Sequence, residues 1–167
     1  MTVPLRAPAN RVARGAVWLW VAQGLAFWVV IAAVVIVLSV VLPDDVPSGV
    51  SVPLAIARWA LVPLTALSVV VEPLWRYRVH RWEVTGDAVY TLEGWVSRTW
   101  RIVPISRIQT VDTTRGPLQQ LLGLASISVR TASHAGSTSI QQLAAPVAES
   151  VAHDLALRAN AVHDEAT

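Results

Sequence analysis

The chain has 167 residues, 54% of them hydrophobic and 14% charged, with a formal net charge of +2, whereas an ordinary soluble domain carries about 45–50% apolar and about 25% charged residues. All thirteen basic side chains are Arg, and there is neither Lys nor Cys. Lysine Schiff bases, phosphate-loop lysines, disulfides, thiolate nucleophiles and cysteine-ligated zinc are thereby excluded.

Charge is spread unevenly. Residues 15–74 carry only Asp44, Asp45, Arg58 and Glu72, and 75–167 carry seventeen charged side chains. Residues 1–14 read as a short cytoplasmic segment. From Gly15 to Leu42 there is no charge at all, and about 20 apolar residues suffice for a helix to cross the hydrocarbon core. After an outside loop over residues 43–53, the second apolar stretch, Val52 to Trp75, contains Arg58, Glu72 and three prolines. Arg58 lies near one end, where it can snorkel to the outer interface beside Trp59, and Glu72 lies near the other, four residues before Arg76. Pro63 is expected to kink this span. Residues 15–75 therefore read as a two-helix transmembrane hairpin. Gln23, Arg58 and Glu72 are its candidate intramembrane polar residues, read chiefly as boundary anchors; as an alternative they face a helix interface in an accessory subunit of a transport or export system.

Orientation follows from the arginines. Arg6, Arg11 and Arg14 precede the first span, Arg76, Arg78 and Arg81 follow the second, and the connector between has two Asp and no basic residue. The positive-inside rule then puts both termini in the cytoplasm of a multi-pass plasma-membrane protein, with Trp18, Trp20, Trp75, Tyr77 and Trp82 near the inner interface.

Beyond Trp82 the pattern changes to short alternating runs. Ala88–Gly94, Ser97–Pro104, Ala125–Thr131 and Thr138–Leu143 read as strands, with a turn at Thr85–Asp87 and a loop at Ser133–Ser137. An antiparallel sheet of about six or seven strands is expected. Pro146 suits the start of a closing helix with Val147, Val151, Leu155 and Val162 on its apolar face, and with Glu149–His153 and Asp154–Arg158 pairs on its polar side. Pro117–Leu122, bounded by Gly116 and Gly123, is long enough for one helical turn between strands. Its leucines Leu118, Leu121 and Leu122 are expected to plug one end of the barrel; the sharper alternative has them dip into the lipid interface or a partner groove.

One long, ordered pattern carries a resemblance. Arg76-Tyr77, Val103-Pro104-Ile105, Arg107-Ile108-Gln109, Gly116-Pro117-Leu118-Gln119 and Leu122-Gly123-Leu124-Ala125, following two spans, resemble the bacterial pleckstrin-homology-like, membrane-flanked (YdbS-like) family over roughly residues 15–160. The resemblance implies a pleckstrin-homology-like α+β domain, a β-barrel or sandwich capped by a C-terminal helix, over residues 76–162, with 163–167 as a tail. It implies no reaction.

No chemical motif competes with that reading. The four histidines make no metal-ligand spacing, and no nucleophile elbow, phosphate loop or dinucleotide fingerprint is present, so no cofactor, metal or catalytic residue is expected. Residues 75–130 carry eight Arg against four acids, and each Arg near an anionic leaflet is worth about 1 kcal/mol. Arg76, Arg78, Arg81, Arg107, Arg115, Leu118, Leu121 and Leu122 are accordingly the candidate lipid- or partner-binding residues. The expected role is a membrane-anchored adapter or scaffold at the cytoplasmic face. Its expected partners are membrane lipids and another membrane protein, of the same family or a second copy; nucleic acid is not among them.

Overall fold

The unbroken apolar run folds as one helix, α1 (Gly15–Val41). The second run is helical from Ser48 onward, through α2 (Ser48–Ala66), a π-helical turn (Leu67–Val71) and α3 (Glu72–Val79). In this computed structural model the described residues are 6–42, 47–95, 97–132 and 136–165, the side chains of 163–165 excepted. The chain divides into two compact units, Trp20–Leu74 and Met1–Leu19 with Trp75–Thr167.

In the first unit, the second helix starts earlier than the sequence suggested. Pro47 holds extended backbone (φ −54, ψ 148) ahead of Ser48, which lets the first turn form there, so the helix takes in most of the expected outside loop. Residues 43–46 lie outside the described set. Arg58 is consequently nearly three turns into α2 rather than close to its end. Its Nε donates to Ser39 Oγ at 2.8 Å, and Ser39 Oγ donates in turn to the Val35 carbonyl at 2.6 Å. Such pairing is what an arginine in an apolar helix requires. The Trp28 indole N–H likewise donates to the Ser68 hydroxyl.

The irregular turn of this helix is not at Pro63, which stays within α2, but at Leu67–Val71. Pro73 has no N–H to give the Val69 carbonyl, and its ring would press on that oxygen. Widening to i→i−5 bonding, with the Glu72 N–H on the Leu67 carbonyl, relieves both problems.

Among the described residues the second unit holds seven strands in two antiparallel sheets, which is the sandwich of the two expected forms. Strands β1 (Asn10–Arg11), β2 (Arg81–Val84), β3 (Ala88–Gly94) and β4 (Arg98–Pro104) form the first in sequence order; β5 (Ile108–Thr114), β6 (Leu124–Thr131) and β7 (Thr138–Ala144) form the second. A 3-10 turn, Ile105–Arg107, joins the sheets. The alternation read in β6 holds, since Ala125, Ile127 and Val129 are buried while Ser126, Ser128 and Arg130 are not. Residues 133–135 of the expected loop lie outside the described set.

Helix α5 (Ala145–Glu165) covers the core with Val151 and Leu155 of the face first read, but not with Val147 and Val162. Ala148, Leu155 and Ala159 are buried with Val151 and Ala152 partly so, whereas Val147 and Val162 are exposed. Positions 148, 152, 155 and 159 make one stripe at helical spacing, and small alanines let the helix approach the sheets closely. Asp154 and Arg158 pair at 2.8 Å as expected, while Glu149 pairs with Arg115 instead of His153.

The segment before α1, read as a short stretch ahead of the hairpin, contributes to the sandwich from Pro8 to Ala13. Asn10 and Arg11 pair with Trp82 and Arg81. The Ala13 N–H donates to the Gln142 carbonyl at 2.9 Å. The Trp82 indole N–H donates to the Arg11 carbonyl at 3.2 Å. Glu83 accepts from Arg6 at 2.6 Å and from the Ala9 N–H at 3.0 Å. Pro8 and Val12 are buried. The β1–β2 pair thus ties together the strand that feeds α1 and the strand that follows α3.

Candidate functional site

The stretch between β5 and β6 turns an ordinary connection into a surface feature. Gly116 is extended, Pro117 opens the helix α4 (Pro117–Leu121), and Gly123, at φ +64, ends it in the left-handed region that a glycine adopts without strain. Gln119 fixes its orientation. Its Oε1 accepts the Gly116 N–H at 2.8 Å, and its Nε2 donates to Ser126 Oγ at 2.9 Å and to Gln142 Oε1 at 3.0 Å. Gln142 is itself buried at a register shift between β6 and β7, with a left-handed φ of 57. Strained positions of this kind persist where surrounding bonds over-determine them.

With Gln119 on the inner side of the turn, the leucines face outward. Leu118 is 42%, Leu121 82% and Leu122 38% exposed. The expected barrel plug is therefore corrected: the inward side of α4 is polar and bonded to the sheet, so its apolar side has nowhere to go but out. Three aliphatic side chains are thus exposed together on one short turn.

The basic candidates are dispersed. Arg115 directly precedes α4 and is matched by Glu149; Arg107 is exposed on the 3-10 turn; Arg76 and Arg78 lie on α3, and Arg81 on β2 reaches the Pro8 carbonyl at 3.5 Å. The structure thus joins Arg115 to the three leucines and leaves the other arginines on separate elements. Arg11 adds a cation–π contact, 5.9 Å from the Tyr77 ring centre. Among the polar residues of the apolar helices, Gln23 is exposed and lies about 24 Å along α1 from Ser39, the partner of Arg58. Gln23 and Arg58 are therefore not brought together. Glu72 follows the π turn.

Two further places could hold a ligand. The outer face of the β5–β7 sheet makes an open cleft of about 430 Å³ lined by Asp112, Thr114, Gln119, Ser126, Ser128, Arg130, Ser139 and Gln141. Its one cation, Arg130, is paired with Asp112 at 3.5 Å, which leaves hydroxyls and amides and no spare charge for a phosphate. A recess of about 10 Å³ beside β2 and β3, room for about one water, is lined by His80 and Glu93 among others. Burial holds the His80 imidazole below its usual range, with the charge of Arg76 acting in the same direction and a hydrogen bond to the Arg76 carbonyl opposing it. Burial raises the Glu93 carboxyl, opposed by Arg101 and Arg76. Among the described residues no three His, Asp or Glu side chains gather as a metal site. His134 and the side chain of His163 are outside that set.

Two antiparallel sheets and a C-terminal helix, following two apolar helices along the chain, agree with what sequence comparison finds. Residues 15–159 match the family described as Bacterial PH domain. The chain belongs to the bacterial PH domain family. Within it, the chain is similar to the UPF0699 transmembrane protein YdbS of Bacillus subtilis (strain 168), 34% identical over 76 residues that cover 46% of each protein. The match thus spans about half the length of this curated relative. No solved structure matches. Family and helices together make this a membrane protein with a PH-like domain, as the motif pattern implied.

The sequence reading missed the Gln119–Ser126–Gln142 network and the Ser39 partner of Arg58. Gln119 was visible only as a polar residue among leucines, a signal that could have placed the inner side of the turn. Nothing in the sequence points from Arg58 to Ser39.

Proposed function

We propose that this chain is a membrane-mounted docking module. Both spans cross the bacterial plasma membrane, both termini are cytoplasmic, and the PH-like domain serves at the inner face as an adapter or scaffold for protein partners or anionic lipid, without catalysis of its own. A partner membrane protein of the same family, or a second copy, fits this role. The observation that carries the reading is the outward leucine turn held rigidly by Gln119. Burying a Leu side chain stabilises by about 1.5–3 kcal/mol, so a surface with Leu121 at 82% exposure gains substantially once covered.

The test is photo-crosslinking in cells with a benzophenone side chain at Leu118, Leu121 or Leu122. Adducts to protein or lipid are expected at all three, well above those from Gly86, an exposed position with open space around it. Equal adduct levels at the turn and at Gly86 would sink the docking reading.

A further inference from the structure

The position of α4 along the chain's own first helix identifies what covers the leucines. A Cβ on Gly15 would lie 3.3 Å from Leu124 Cδ2 and 3.5 Å from the Leu122 carbonyl oxygen, so the end of the leucine turn sits against the first residue of α1. Gly15 also opens the uncharged run. Arg14, one residue earlier, is exposed, and Trp18, one turn later, is 68% exposed. An arginine followed within a turn by an exposed indole is the arrangement of a headgroup layer. With α1 as a span, the turn lies near the level at which that helix would enter lipid.

We propose that Leu118, Leu121 and Leu122 are seated in the headgroup–acyl boundary of the same membrane that α1 enters, making α4 a second, interfacial anchor; this rests on the docking reading and names its occupant as lipid. The chemistry of the surface fits. Aliphatic side chains face outward and Gln119 inward, the amphipathic division that lies flat in an interface about 5–10 Å deep. Arg115, next to the turn, is matched by Glu149 and Arg130 by Asp112, so the seating rests on the apolar side chains and not on a net positive charge.

Because the chain has no Cys, single-cysteine variants report cleanly. The experiment uses the full chain carrying Leu121→Cys, labelled with an environment-sensitive fluorophore, in vesicles of phosphatidylethanolamine and phosphatidylglycerol. Quenching by doxyl-labelled lipid is compared with quenching by iodide on both sides of the bilayer. Val30→Cys within the span and Thr113→Cys, exposed on β5, are the references, and Leu118→Cys repeats the measurement in case the label at 121 disturbs seating. The expected result is lipid quenching several-fold above Thr113→Cys and iodide quenching several-fold below it. Iodide quenching equal to Thr113→Cys overturns lipid seating. Protection from both quenchers overturns it too and assigns the surface to a second copy. Neither outcome touches the docking reading, which stands or falls on the crosslinks in cells.

Discussion

Replacing Val12 by Asp should destabilise the PH-like domain by about 3–5 kcal/mol, the sum of a lost buried Val and an uncompensated charge in its place. Val12 is 6% exposed, in a segment that contributes Pro8 to the interior and a carbonyl to the Trp82 indole. For a domain of about 100 residues that loss lowers Tm by more than about 10 °C. Asn10→Asp, two residues away and exposed, should stay within about 0.5 kcal/mol. Thermal unfolding of the full chain in detergent, followed by near-ultraviolet circular dichroism, compares the two. Equal effects would mean that the N-terminal segment is not part of the sandwich.

The second large effect concerns the β3–β4 hairpin. Gly94 has φ +131, and a Cβ there would lie 1.8 Å from the Ser97 carbonyl oxygen, closer than any non-bonded approach. Gly94→Ala must open the hairpin or move Ser97, at about 2–4 kcal/mol. The change also bears on the Trp95 carbonyl, which accepts the Trp75 indole N–H at 3.0 Å. Gly86→Ala, with no atom within 4 Å of the added carbon, is the control and should be neutral or slightly stabilising. The measurement is again the unfolding midpoint.

Residues that alternate in the sequence were legible where burial alternates too. β6 could be read almost to the residue, because one of its faces is buried and the other is not, and β3 kept its bounds although Ala88, Val89, Thr91 and Leu92 are buried on both of its faces. β1 could not: Asn10–Arg11 is two residues long, exposed on both, and paired with residues far along the chain. The expectation of a barrel or a sandwich left the choice between one closed sheet and two open, since pairing partners leave no local trace. On α5 the larger valines drew the apolar face toward Val147 and Val162, but close packing selected Ala148 and Ala159. The same rule decided α4. Hydrophobicity alone sends leucines inward, and only the bonds of Gln119 to Ser126 and Gln142 turn them out. The arginines were found by composition, yet which of them join the leucines depends on where α3, β2 and the 3-10 turn lie in space.

The proposed placement of the PH-like domain on the inner surface of the cell membrane has a direct test. Thr113 is exposed on β5, away from the leucine turn's own residues, and Thr113→Cys supplies a single thiol in a chain that has none. A membrane-impermeant maleimide applied to intact cells should leave this thiol unlabelled and should label it fully once the cells are opened. Labelling of equal extent in intact cells would put the domain on the outer side and contradict the account.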